Sequence, residues 1–122
     1  MLRRILAVLA GAFVFGLLGT LLFLLLRLAW PEYARVEISM AFTPPMMLAR
    51  LAAAALCVIA GGWTAARIAS GDLRAAWWLG VLLLLVFIPV HYQLWQRLPA
   101  WYHLTFLLTL IPLAGLGGRL GR

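Results

Sequence analysis

From Ile5 to Leu26 the chain carries no charged side chain. A helix over that run, rising about 1.5 Å per residue, is long enough to cross the roughly 30 Å hydrocarbon core of a bilayer. Such a segment leaves few folds open. In lipid every backbone N–H and C=O must be satisfied within the protein, and a helix does so inside one segment. The rest of the chain agrees: 66% of its 122 residues are hydrophobic and 11% charged. Soluble domains are about half apolar and about a quarter charged. A water-soluble core of this size could not enclose so many apolar side chains. The sequence therefore predicts an all-α integral membrane protein, a four-helix transmembrane bundle forming one membrane domain over residues 1–122.

The four helices are expected over about residues 5–29, 44–69, 75–96 and 100–117. Arg3 and Arg4 before the first run could suggest a signal peptide. The run is longer than a signal's apolar core of about 7–15 residues and lacks a good cleavage site at its far end, so it reads as a retained helix. Thr43-Pro44-Pro45 suits the start of the second helix, with Thr as cap and proline where no hydrogen bond is lost. Ser70-Gly71-Asp72 ends it. Pro89 and Pro112 fall inside the third and fourth helices and should bend them.

Tryptophan and tyrosine favour the headgroup level, and here they fall in two belts. Trp30, Tyr33, Tyr92, Trp95, Trp101 and Tyr102 mark one interface; Trp63, Trp77 and Trp78 mark the other. Arginine is unevenly shared between them. Arg3, Arg4, Arg67, Arg74, Arg119 and Arg122 lie at one end, against Arg27, Arg35, Arg50 and Arg97 at the other. The positive-inside rule then puts both termini in the cytoplasm, and a bacterial inner membrane is the expected location. All ten basic residues are arginine, which hints at a GC-rich genome. The formal net charge of +7 does not indicate nucleic acid, because the arginines cap apolar runs rather than forming one stripe. Cys57, the single cysteine, sits mid-run and reads as a small packing residue.

On the second helix Ala49, Ala53, Cys57, Gly61, Ala65 and Ala69 recur every fourth residue, and the first helix carries a shorter counterpart in Ala12, Gly16 and Thr20. Small residues at this spacing let membrane helices approach closely. Packing within the monomer is the expected use, with a dimer face as the alternative. The stretch Gly61-Gly62-Trp63-Thr64-Ala65-Ala66-Arg67-Ile68-Ala69 resembles the end of a helix in small bacterial inner-membrane proteins with four predicted helices. That resemblance implies a location and a helix count but no activity.

Polar residues gather at the end opposite the termini. Arg50 lies inside the second helix and must snorkel or find a partner, with Glu32 and Glu37 as candidates. His91 and His103 are equidistant from the turn near Arg97, so antiparallel helices should bring them level, and with Arg50 and Gln93 they should border the most polar pocket. The bland expectation for the two rings is hydrogen bonding among Tyr92, Trp101 and Tyr102. Between Val36 and Phe42 apolar and polar residues alternate, which suggests an extended or irregular interfacial segment or, starting at Pro31-Glu32, a short interfacial helix.

No phosphate loop, nucleophile elbow or metal motif of established spacing appears, so neither catalysis nor a cofactor or metal is expected. Small multidrug transporters are similar in length and helix count, but they depend on an acid within the first helix, and this first helix has none. The fluoride channels' phenylalanine box and polar track are missing as well. The leading expectation is a helix-packing or accessory component of a larger membrane complex or homo-oligomer. Two alternatives stand beside it. One is an oligomeric transporter or channel lined by Thr105 and Thr109. The other is an outer-face module binding a lipid, metal or haem. The expected partners are the lipid bilayer and further membrane chains.

Overall fold

The computed structural model describes residues 2–121; Arg122, counted above with the basic residues of one end, lies outside them. The described residues form α1 (Leu2–Ala29), α2 (Pro31–Val36), α3 (Pro44–Ile68), α4 (Leu73–Gln93) and α5 (Ala100–Gly121), with no strand among them. Helices α1, α3, α4 and α5 are each long and apolar enough to cross a membrane. The chain is a small multi-pass membrane protein, an all-α bundle of four transmembrane helices. Its terminal end holds the start of α1 and the end of α5. Its cap end holds α2, residues 37–43 and the α4–α5 turn.

Helix α1 starts earlier than the apolar run suggests, because the first two arginines find partners on the bundle. Arg3 donates to the carbonyl of Ile68 at 2.9 Å, and Arg4 reaches Asp72 at 3.0 Å. Asp72 also caps α4, accepting from the Arg74 backbone N–H at 3.0 Å. The backbone N–H of Arg74, and then the Arg4 guanidinium, hold the Asp72 carboxyl below its ordinary range. Helix α4 ends at Gln93 rather than near Gln96, as the chain turns through residues 94–97 ahead of Pro99. Helix α5 continues to Gly121, beyond the expected stop near Gly117. Its terminal glycines stay helical because they lie against neighbouring helices, where a side chain has no room.

Helix α3 is the centre of the bundle and touches α1, α4 and α5. One of its faces meets α1: a Cβ on Gly61 would sit 2.9 Å from the carbonyl oxygen of Gly11. Ala53, Cys57, Gly61 and Ala65 are buried along this face, and Ala49 and Ala69 at its ends are half-buried. A second face, offset by one residue, meets α5. A Cβ on Gly62 would run into the carbonyl of Ala114, and one on Gly117 into the carbonyl of Ile59. On α1 the crossing is made by Ala7 and Gly11, the only buried residues of that helix. The predicted set differs: Ala12 is half-buried, and Gly16 and Thr20 are exposed. A one-residue offset turns a side chain by about 100° around a helix, which moves Gly16 and Thr20 off the contact, while Ala12 still packs against the edge of the core.

The alternating stretch that ends at Phe42 is irregular rather than extended, and the short helix expected at Pro31-Glu32 is present. Pro31 starts a six-residue helix, the chain turns through residues 37–40, and Met40 takes a positive φ of 59°. With no strand to pair with, the segment gains more by turning its aromatic residues inward. Tyr33 and Phe42 stack at 5.3 Å and pack with Met46, Met47, Leu98 and Tyr102 in a small core of their own.

Candidate functional site

Helices α1 and α4 run in the same direction and meet through Phe15 and Phe87, whose rings sit edge to face at 5.7 Å. On the cap side of this contact lies a cavity of about 570 Å³. Gly16, Gly19 and Thr20 of α1 form one wall and Phe87, Val90 and His91 of α4 another, while Glu37, Ile38, Met40 and Phe42 border its cap end. A Cβ on Gly16 would meet nothing within 4 Å, so the absence of a side chain there helps keep the space open.

Arg50 of α3 lines the inner wall. Its Nη1 donates to the Tyr33 hydroxyl at 2.6 Å and its Nε to the Tyr102 hydroxyl at 3.1 Å. The guanidinium also lies 4.9 Å from the Phe23 ring centre and 4.8 Å from that of Phe42. Four aromatic rings thus hold the cation where carboxylates were expected. Glu37 lines the cavity but is taken by Arg27 at 2.6 Å, and Glu32 is exposed on α2. Burial pushes the Tyr33 phenol above its usual value of 10, against the pull of Arg50, so it remains a protonated O–H.

His91 and His103 face each other, with Nδ1 to Nδ1 at 2.6 Å and the ring planes nearly perpendicular. Both are buried: Phe106 lies against His91 at 4.5 Å, and Trp95 stacks on His103 at 5.0 Å. Of the neighbours anticipated, Tyr102 lies beside both rings, at 6.1 Å from His91 and 5.9 Å from His103. Tyr92 and Trp101 are exposed, and the rings bond to each other instead. The spacing is that of a hydrogen bond. Two nitrogens on one tetrahedral zinc would stand roughly 3.3 Å apart, given Zn–N bonds of about 2.0–2.1 Å. Among the described residues no group of three His, Cys, Asp or Glu is placed to hold a metal.

Neither a family model, nor a curated protein, nor a solved structure matches this chain.

The site therefore rests on its own geometry. Arg50 and His91 share the cavity, and His103 stands behind His91. Gln93, expected at the pocket, is exposed at the last turn of α4 and does not line it. Thr105 and Thr109 lie on a separate groove between α3 and α5, and the Thr109 hydroxyl is spent on the carbonyls of Thr105 and Phe106. Tyr33, Phe23 and Phe42 were not expected at the site from the sequence, although Tyr33 was placed in the interfacial belt. One signal pointed toward the tyrosines. With only three acids in the chain, an arginine inside an apolar helix must draw on other acceptors, and phenols at matching depth supply them.

Proposed function

We propose that this protein binds a lipid-like amphiphile in the cavity between α1 and α4. The observation that carries this reading is the make-up of the cavity: apolar walls from two membrane helices, exposed Gly16 and Thr20 at its side, and Arg50 with the Tyr102 hydroxyl at its inner wall. Ligand sites are typically concave and mostly apolar, with a few convergent polar groups, and cavities of about 300–1,000 Å³ are typical. In this reading the chain sits in a bacterial inner membrane with both termini in the cytoplasm, so the cavity lies in the outer leaflet. Extraction in mild detergent followed by native mass spectrometry tests it. One lipid-sized molecule per chain should be retained. Gly16→Phe, which puts a ring on a cavity-lining position where a Cβ meets nothing within 4 Å, should remove that mass while leaving the chain folded. Retention unchanged in that variant would overturn the assignment.

A second reading, an accessory role beside other membrane chains, is favoured by one feature of α1. This helix buries only Ala7 and Gly11, and most of its leucine and phenylalanine side chains point away from the bundle. Lipid tails satisfy such a face as well as another helix does. Cross-linking in native membranes separates the two: adducts through α1 support a partner chain, and their absence supports lipid.

A further inference from the structure

We propose that the cavity is an oxyanion receptor, in which Arg50 and the Tyr102 hydroxyl bind a phosphate or phosphodiester group. This rests on the amphiphile reading above and narrows it to a chemical class.

The first argument is charge. The chain has three acids. Asp72 lies at the terminal end with Arg4, Glu32 is exposed, and Glu37 is paired with Arg27. Among the described residues Arg50 therefore has no counter-ion. Phenol oxygens and ring faces solvate its charge without cancelling it, and a partly buried cation left uncompensated is costly in an apolar site. The charged groups lining the cavity are Arg27, Glu37 and Arg50, so one positive charge remains over once the first two have paired.

The second argument is the count of donors. A guanidinium carries five N–H groups and no acceptor. Nε and Nη1 of Arg50 each have a tyrosine partner, and Nη2 has none among the described residues. Nη2 is not sealed away, because the only buried side-chain polar atom without a partner among the described residues is His103 Nε2. The Tyr102 oxygen accepts from Arg50, which leaves its own O–H proton to give. Unspent donors without a matching acceptor suit phosphate oxygens, which guanidinium groups bind in paired, charge-assisted geometry. They do not suit an amine or a metal cation.

The histidine pair can add a donor. His91 lines the cavity and His103 does not. When His103 donates its Nδ1–H to His91, the His91 proton sits on Nε2, and His103 Nε2 is left as a bare lone pair. A bound oxyanion selects this tautomer of the neutral pair, because the opposite one turns a lone pair of His91 toward the ligand.

The test uses the full chain in a neutral detergent and three probes: dihexanoylphosphatidylglycerol, dihexanoylglycerol and inorganic phosphate. Affinity is read by native mass spectrometry and by shift of the thermal midpoint. The phospholipid should bind at least about tenfold more tightly than the neutral lipid, the scale expected for a charge-assisted pair. Arg50→Gln should remove that preference, bringing the phospholipid's affinity level with that of dihexanoylglycerol measured in the same variant. Tyr102→Phe, which keeps the ring and deletes one hydroxyl, should lower it in the same direction and serves if the arginine variant fails to fold. Inorganic phosphate that competes with the phospholipid at matching affinity makes the source a soluble anion; weak competition makes it a lipid headgroup. Equal binding of both lipids, with both still blocked by Gly16→Phe, overturns the oxyanion proposal and leaves the amphiphile reading standing. If neither lipid binds, both fall.

Discussion

Each histidine of the α4–α5 pair is the other's partner, so removing one strands the second. His103 is fully buried, and in a His91→Leu variant its Nδ1 would have no partner. An unsatisfied buried polar group costs about 1–3 kcal/mol, so each single substitution should lower stability by that order. The double variant His91→Leu/His103→Leu should cost less than the sum of the two, measured as a thermal or denaturant midpoint in detergent. Strict additivity would mean that the bond contributes nothing. Asp72 gives a pH prediction. Its folded carboxyl is held below the ordinary value, so its contribution is complete above about pH 3.9 and is lost as the pH falls through its lowered folded value. The thermal midpoint should therefore drop at the acid end, and Asp72→Asn should flatten that limb. An unchanged acid limb in the variant would dismiss the clamp. At this scale the sequence was partly legible. The equal spacing of the two histidines from their turn was readable, but Arg50's partners were not, since they come from three separate segments.

Among the elements, α3 is organised by two small-residue faces, and they make different demands. Gly61 and Gly62 lie where backbones touch, so Gly61→Leu or Gly62→Leu should disrupt the bundle far more than Leu82→Ala, which trims a half-buried side chain. Similar detergent stability for the three variants would remove the close-packing argument. Gly16 is the control: it sits in a helix with open space around its Cβ position, so Gly16→Ala should be neutral or stabilising by up to about 1 kcal/mol. The every-fourth-residue row from Ala49 to Ala69 was visible in the sequence. The face through Gly62 was obscured because Ala54, Val58, Gly62 and Ala66 mix sizes, and its role depends on the glycines of α5.

For the whole molecule, pairs such as Arg4 with Asp72, Phe15 with Phe87 and Arg50 with Tyr102 set the directions: α1 and α4 run one way, α3 and α5 the other. Both ends of the described chain thus meet the same face of the membrane. A reporter fused after the last residue and one inserted within residues 37–41 should report opposite compartments, with the terminal reporter cytoplasmic. A periplasm-only reporter active at the C-terminus would reverse the orientation drawn from the arginines.

The membrane character, the helix count and the near-level placement of His91 and His103 follow from the sequence by itself. The reason is local: a helix in lipid satisfies its own backbone, so the length of an uncharged run and the positions of arginine and tryptophan are enough to read each crossing. Which side of each helix meets another is a property of two surfaces at once. A rotation of one residue put Ala7 and Gly11, rather than Gly16 and Thr20, against α3. The tertiary structure alone therefore decided that α1 and α4 leave a cavity beyond Phe15 and Phe87. It also decided that Arg50 points into that cavity between two phenols with no acid to neutralise it.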